Sequence, residues 1–433
     1  MKYLSSLKFF QKFQNLILYF FTITILSHFL KDNFSQYYIL LIFSFSLVFF
    51  VFLNESEFKK KYLNFNSTKF LFIFFIISCA FITVISIIYM DRWGMSNKEI
   101  LLSLGRFYIC PLICIALYIL INSENNLKNI LVIYYFFIFL AALSIFIQDV
   151  YGHISFFGES FYWKVRYGKL GYSSITGSVN SYGVSFYTAI FAIFFISKLH
   201  FTYRSILISL IILAVISVST KSGFINIFLI MLILFFYSLK VEKLKIFMLS
   251  IFIIFLGIIT FDSMILTFAS LIANTTGIEI IPNTIGIGDI TKGENYQKEY
   301  YSFIELAIER ISFRWWPDYL QSIDYYLGLG VYGGAGALAT KSISTHNAYL
   351  DIYLIGGIPL IVSFLLLICN IQYIFLREII KFQNSIILTL FWSNNIFLFN
   401  MIFYSGGFFH PVISFPFWVS IAYLMNSYKI NNQ

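Results

Sequence analysis

Several basic residues of this sequence could bind phosphate or move a proton. Arg310 and Arg314 are four positions apart, so a helix would place both on one face, next to Trp315 and Trp316. Guanidinium groups at that spacing can hold phosphate oxygens in pairs, and the tryptophans are typical of an amphipathic helix on a membrane surface. The four residues together predict an anion-binding site at a lipid surface.

His346 could transfer a proton, because an imidazole group titrates near neutral pH. The sequence predicts that His346 and Asn347 begin a helix, whose first amide groups are capped by the hydroxyl groups of Ser344 and Thr345. We expect this helix to end at Gly356–Gly357. Its positive end would favour an anion beside the imidazole, although the histidine could instead be a structural residue at the membrane interface.

Three other polar residues fall near the same predicted side of the membrane. Arg106 lies inside a predicted membrane span, where an arginine costs about 2.5 kcal/mol or more unless it faces a cavity or a partner; the alternative is that it snorkels to the lipid headgroups. Lys221 lies at the apex of a tight hairpin from Ser217 to Gly223, where its amine would bind an anion or be an ordinary interfacial lysine. His410 follows a Gly-Gly-Phe-Phe sequence on that side.

The composition indicates the kind of fold that must position these residues. Of the 433 residues, 59% are apolar and 11% are charged, which leaves too little polar surface for a soluble protein of this size. The chain is therefore predicted to be an all-α polytopic integral membrane protein. About twelve apolar runs are long enough to cross a bilayer, near residues 14–30, 37–53, 70–90, 100–121, 130–148, 181–197, 205–220, 223–239, 246–261, 357–376, 385–403 and 411–427.

The distribution of lysine and arginine predicts the orientation of these spans. With the N-terminus inside, the inner segments carry most of the basic residues of the short loops, so both termini are predicted to lie in the cytoplasm. The net charge of +9 is then a signal of topology, and no nucleic-acid partner is expected. The expected organisation is a membrane region at 1–261, a large outer loop with amphipathic helices at 262–348, and a second membrane region at 349–433.

Four short stretches share one order along the chain and one predicted side of the membrane. They resemble the bacterial O-antigen polymerase and ligase superfamily, in particular its Wzy-type polymerases. The stretches are Arg166–Gly171 with Asn180–Gly183, Ser219–Gly223, Arg314–Trp316 with Gly328–Gly333, and Thr345–Leu350 with Gly356–Leu360. The family usually has arginine where this chain has Lys221. The lysine keeps the positive charge but cannot bind phosphate in the bidentate way of a guanidinium group. His410 has no firm counterpart.

The resemblance implies an inverting, metal-independent glycosyltransferase of GT-C-like fold at the periplasmic face of the bacterial inner membrane. Its substrates would be undecaprenyl-pyrophosphate-linked oligosaccharides, both donor and acceptor, held in contact with membrane lipid. No cofactor is expected, and a separate chain-length regulator protein is the expected partner. We expect the catalytic residues to be His346, Arg166 and Arg314, and the substrate-binding residues to be Lys221, Arg310, Asn347, Arg106, Asn180 and His410.

Three other functions stay open at this point. An O-antigen ligase would transfer the finished glycan to lipid A core, and it belongs to the same superfamily. A flippase for the lipid-linked oligosaccharide would need charged residues along a path through both halves of the membrane, whereas here they gather on one side. A non-catalytic glycan-binding scaffold would leave Arg106 and the pair Arg310 and Arg314 without a purpose.

Overall fold

The chain folds into two compact units. Unit 1 contains Met1–Tyr134 and Trp315–Gln433, and unit 2 contains Tyr135–Arg314. The computed structural model of the chain describes residues 2–27, 37–54, 66–94, 96–151, 155–156, 159–160, 162–166, 169–172, 179–217, 221–238, 322–332, 347–382, 384–402 and 407–430.

The described residues are mostly helical, as the composition predicts. Every predicted span overlaps a helix except 246–261, which lies outside the described residues. Turns of 3-10 helix cover Gly330–Tyr332 and Gly407–Phe409. The α-helices are α1 (Lys2–Leu26), α2 (Tyr37–Asn54), α3 (Ser67–Ile88), α4 (Met90–Trp93), α5 (Asn97–Leu120), α6 (Glu124–Tyr151), α7 (Val179–Phe195), α8 (Phe201–Ser217), α9 (Lys221–Ser238), α10 (Asp324–Leu327), α11 (Ala348–Phe382), α12 (Ser385–Asn400) and α13 (Phe415–Ile430).

Among the described residues, four helices are long and apolar enough to cross a membrane: Ser67–Ile88, Asn97–Leu120, Glu124–Ile145 and Ala348–Ile380. Many of their apolar side chains are exposed, which suits contact with lipid, as at Phe70 (63%) and Leu101 (70%). Shorter apolar helices cover Tyr37–Leu53, Phe186–Phe195, Phe201–Val215, Asn226–Tyr237 and Ser385–Asn400. The protein is therefore a helical, membrane-embedded protein; the number of spans and their sidedness stay predictions.

Polar side chains at the helix ends explain where the long helices of unit 1 begin. Asn66 caps α3, because its side chain accepts a hydrogen bond of 2.9 Å from the amide of Lys69. Ser96 and Glu99 form a reciprocal capping box at the start of α5. The same Asn66 donates to the carbonyl of Leu424 at 3.0 Å, so one side chain both starts α3 and joins it to α13.

Unit 1 has two ends that differ in their contacts. We call one of them the upper end; it contains the C-terminus of α3 and the N-terminus of α11. The ring of Phe408 lies at the centre of the aromatic side chains packed there. That ring is 1% exposed, and its centroid lies 4.5 Å from the ring of Phe364 and 5.3 Å from that of Phe397. At the opposite, lower end, Asn426 donates to the carbonyls of Tyr118 and Ile121.

A glycine crossing fastens the 322–332 segment to the upper end. Gly357 interrupts α11 with φ 58° and ψ −152°, and Pro359 lacks the N–H that would bond the carbonyl of Ile355. The amide of Leu329 donates to the carbonyl of Leu354 at 2.7 Å. A Cβ atom at Gly328 would lie 2.5 Å from the nitrogen of Gly357, so the two backbones can approach this closely only because both residues are glycine. The break confirms the helix end predicted at Gly356–Gly357.

Unit 2 contains α7, α8 and α9, and two short β-ribbons that the all-α prediction did not include. Each ribbon is an antiparallel pair: Ser155–Phe156 (β1) with Glu159–Ser160 (β2), and Tyr162–Arg166 (β3) with Lys169–Tyr172 (β4). The fold class is therefore helical with a minor β addition. The segments are too short for the alternating pattern by which strands are recognised in a sequence.

Replacing Gly328 or Gly357 with alanine is expected to destabilise unit 1 by more than about 2 kcal/mol, because each alanine combines a positive φ with a backbone clash. Gly94→Ala is the matched control for φ alone, since open space surrounds Gly94 at φ 61°; its expected cost is about 1 kcal/mol. Gly105→Ala, in a helix and in open space, should be neutral or slightly stabilising. Thermal unfolding in detergent measures all four, and an equal loss in Gly94→Ala and Gly357→Ala would contradict the crossing.

Candidate functional site

The predicted site residues divide between the two units and the undescribed residues. Arg106, Asn347 and His410 belong to unit 1, whereas Arg166, Asn180 and Lys221 belong to unit 2. The other three, Arg310, Arg314 and His346, lie outside the described residues.

Asn347 lies directly before the first residue of α11, Ala348. Its side chain is 6% exposed, and its Oδ1 atom accepts hydrogen bonds from the amides of Tyr349 at 3.0 Å and Leu350 at 3.3 Å. Asn347 itself therefore caps the helix, whereas Ser344 and Thr345, the predicted caps, lie outside the described residues. The side-chain oxygen of an asparagine can bond directly to the backbone amide two residues later, as in an Asx turn.

His410 lies in the turn that precedes α13. Its Nδ1 atom accepts from the amides of Val412 at 3.3 Å and Ile413 at 3.4 Å. The carbonyl of His410 also accepts from the hydroxyl of Ser414 at 2.7 Å. These bonds tie His410 to its own turn, just before α13.

Arg106 lies on the exposed side of α5. It shares that side with Leu102, which is 51% exposed, and with Gly105, whose surroundings are open. An arginine on an apolar, exposed helix stripe suits the interpretation in which the guanidinium group reaches lipid headgroups. The next residue, Phe107, packs its ring 4.5 Å from that of Phe409.

The aromatic pair Phe408 and Phe409 brings the three unit 1 residues to one end of the helices. Phe409 directly precedes His410 and contacts the neighbour of Arg106. Phe408 lies 5.2 Å from the ring of Tyr349, two residues after Asn347. Chain neighbours of these predicted residues thus meet in a common aromatic core, although they are far apart in sequence.

In unit 2 the described backbone places the predicted cations at element ends. Arg166 ends β3, and its Cα partner across the ribbon is Lys169. Asn180 is the second residue of α7, as the resemblance implies, and Lys221 is the first residue of α9, after a three-residue connection from Ser217.

The described upper end also contains a buried ion pair that the sequence analysis missed. The Nη1 and Nη2 atoms of Arg92 donate to the two carboxylate oxygens of Asp324 at 2.9 Å and 2.8 Å. The side chain of Asp324 is 0% exposed and that of Arg92 is 25% exposed. The sequence shows Arg92 only as part of Asp91–Arg92, directly after a predicted span. It does not indicate Asp324 as the partner, because the two residues are 232 positions apart.

Two tyrosines belong to the same polar cluster as the Arg92–Asp324 pair. The guanidinium group of Arg92 lies 5.2 Å from the ring centroid of Tyr89. Burial raises the pKa of the Tyr89 hydroxyl, and its hydrogen bond to the Asp324 carboxylate raises it further. Burial also raises the pKa of Tyr332, whose hydroxyl donates to the carbonyl of Ser86 at 2.8 Å. Both hydroxyls therefore stay neutral donors, and they fix the 322–332 segment against α3.

Asp351 is a second acidic residue that the sequence analysis passed over. It lies in the first turn of α11 and is 2% exposed. The signal was present in the sequence, since Asp351 is an acidic residue within an otherwise apolar stretch from Ala348 to Ile355. A carboxylate near a helix N-terminus gains from the helix dipole, but that gain alone does not compensate its burial.

The sequence matches no protein-family model and no curated protein. Function is therefore inferred from the residues and their geometry.

Arg92→Ala is expected to destabilise the protein by about 2 to 3 kcal/mol, because it leaves the buried Asp324 carboxylate without this partner. Arg377→Ala is the matched control, since Arg377 pairs with Glu378 at 3.1 Å with 50% of its own side chain exposed; its expected cost is below about 1 kcal/mol. Thermal unfolding in detergent compares the two, and similar losses would show that the Arg92–Asp324 pair contributes no more than a surface pair.

Proposed function

We propose that this protein is a polysaccharide polymerase, an inverting and metal-independent glycosyltransferase that joins undecaprenyl-pyrophosphate-linked oligosaccharide repeat units at the periplasmic face of the bacterial inner membrane. The proposal is supported by the resemblance of four stretches of the chain to O-antigen polymerases. It is also supported by the helical, membrane-embedded fold, which suits a substrate anchored by a long lipid.

One observation carries the proposal furthest. Two of the family-like stretches, Gly328–Gly333 and Gly356–Leu360, meet at the glycine crossing of Gly328 and Gly357. The hydrogen bond from the amide of Leu329 to the carbonyl of Leu354 lies beside that crossing. The first follows Arg314 closely in the chain, and the second belongs to the helix that Asn347 caps. Stretches that meet in the fold are better support for a shared site than stretches that merely follow each other in sequence.

The chemistry begins at a hydroxyl group of the acceptor repeat unit. Its oxygen attacks the anomeric carbon of the donor glycan from the side opposite the phosphate, and the bond from that carbon to the phosphate oxygen breaks. The electron pair leaves with undecaprenyl pyrophosphate, and the proton of the hydroxyl passes to the imidazole of His346. The anomeric configuration is inverted.

The basic residues act on the leaving group. Negative charge grows on the pyrophosphate as the bond breaks, so fixed cations stabilise the transition state more than the ground state. Arg166 and Arg314 hold the pyrophosphate in this proposal, and Lys221 and Arg310 assist. Each charge-assisted hydrogen bond contributes about 1.5 to 3 kcal/mol. Asn347 supports the neighbouring base through the helix that it caps.

His346→Ala and Arg166→Ala are expected to reduce polymerisation at least about 100-fold, because one removes the base and the other a charge on the leaving group. The measurement is glycan chain length on gels from cells that depend on this protein, at matched protein levels. His200→Ala is the control, because His200 is exposed and is the one histidine predicted to face the cytoplasm. Long chains in both test variants would exclude the proposed roles.

The same cells separate a polymerase from a ligase. Loss of a polymerase leaves single repeat units attached to lipid A core, because attachment still occurs. Loss of a ligase leaves long glycan on undecaprenyl pyrophosphate, because chain growth still occurs. We expect the first result.

A further inference from the structure

The break at Gly357 divides α11 into two parts, 348–356 and 358–382. The first part is bonded to α12, because the amide of Ala348 donates to the carbonyl of Met401 at 2.8 Å. The two parts lack at least one of the hydrogen bonds that would join them in an unbroken helix, since the second residue after the break is a proline. The joint is therefore weaker than a helix interior, and joints of this kind act as hinges.

The second part of α11 is held by a different helix, α3. The side-chain amide of Asn370 donates to the hydroxyl of Thr68 at 2.9 Å, and the ring of Phe364 lies 5.8 Å from that of Phe75. These contacts fix the second part along α3, whereas the first part is bonded to α12. The joint at Gly357 therefore lies between two parts that have different supports.

The 322–332 segment lies in this joint. The amide of Leu329 donates to the carbonyl of Leu354, in the last turn before the break, at 2.7 Å. A Cβ atom at Gly328 would lie 2.5 Å from the nitrogen of Gly357, so the backbone of the segment fills the notch that the break leaves in α11. While the segment occupies this notch, the backbone at the joint has no space in which to change its angle.

The same segment is bonded to α3 and α4. The hydroxyl of Ser86 accepts from the amide of Val331 at 3.0 Å, and the carbonyl of Ser86 accepts from the hydroxyl of Tyr332 at 2.8 Å. The carboxylate of Asp324 pairs with Arg92, whose side chain is 25% exposed. Solvent reaches the ion pair through Arg92, so this is the point at which the attachment can exchange its bonds for bonds to water.

We propose that the 322–332 segment is a lock on a hinge at Gly357. While the segment is docked, the angle between the two parts of α11 is fixed. When the segment leaves the joint, the first part changes its angle to the second. The first part is capped by Asn347, so the lock also sets the position of this predicted substrate-binding residue. That consequence rests on the proposed function, whereas the lock itself does not.

Distances between spin labels measure the two movements separately, by pulsed electron paramagnetic resonance on the full chain in detergent. One label pair, Leu350→Cys with Leu366→Cys, lies on the two parts of α11, at positions that are about 24 Å apart in a straight helix. The other pair, Tyr326→Cys with Ile73→Cys, lies on the segment and on α3, at side chains that are 62% and 44% exposed. The exposed native Cys369 is replaced by serine in both.

Two substitutions weaken the lock at different contacts. Asp324→Asn keeps the size of the side chain and removes the charge that pairs with Arg92. Ser86→Ala removes the hydroxyl that accepts from Val331. Each lost bond is expected to raise the released population about 3- to 10-fold, and the double variant about 10- to 100-fold. We expect one population of distances for each label pair in the unsubstituted protein, and a second population for both pairs in the double variant.

Matched controls remove similar groups elsewhere in unit 1. Ser44→Ala removes a buried hydroxyl that donates to the carbonyl of Leu41 in its own helix, α2. Glu378→Gln removes a carboxylate that pairs with Arg377 near the far end of α11. The double control is expected to keep one population of distances for each label pair.

The distances decide between a lock and a fixed support. A second population for both label pairs in the double variant, absent from the double control, supports the lock. A change in only one label pair overturns the proposal, because the segment and α11 then move independently. An unchanged single population for both pairs, or the same change in the double control, overturns it as well. The single variants give the same comparison if the double variant does not fold, and no outcome depends on polymerase activity.

Discussion

The backbone crossing between Gly328 and Gly357 is the constraint on which the upper end of unit 1 depends. Two chain segments approach so closely there that neither can carry a Cβ atom. In return, the amide of Leu329 bonds to the carbonyl of Leu354, so polar backbone groups are satisfied in an apolar protein, where water does not replace them. The position of the 322–332 segment, and of every side chain that it carries, follows from this crossing.

Buried charged groups at the upper end are also stabilised by other groups of the protein, because water does not replace them there. Asp324 is paired in two-pronged geometry with Arg92 and bonded by Tyr89, which offsets the cost of removing the carboxylate from water. Asp351 lies in the first turn of α11, where the helix dipole offsets part of that cost. Acidic residues in an apolar helical protein are thus kept where a cation, a hydroxyl group or a helix end can stabilise them.

The sequence was informative wherever the signal was local. Apolar runs predicted the helices, because a helix needs only its own residues to satisfy its backbone. Gly356, Gly357 and Pro359 predicted the break in α11, because their backbone preferences act within one turn. Asn180 at the start of α7 also agrees with the resemblance. The cap of α11 shows the limit even here, since Ser344, Thr345 and Asn347 each have a side chain able to cap a helix and the sequence did not single out Asn347.

The sequence by itself determined a helical membrane protein, the ends of most of its helices and the set of side chains able to bind phosphate. Only the tertiary structure showed which partners hold individual polar side chains. It joined Arg92 to Asp324 across 232 positions, turned the Nδ1 atom of His410 towards its own turn and buried Asp351 beside Asn347. The reason is physical: a helix follows from short-range backbone bonding, whereas an ion pair or a buried acid depends on which helices pack together, and composition leaves that packing open.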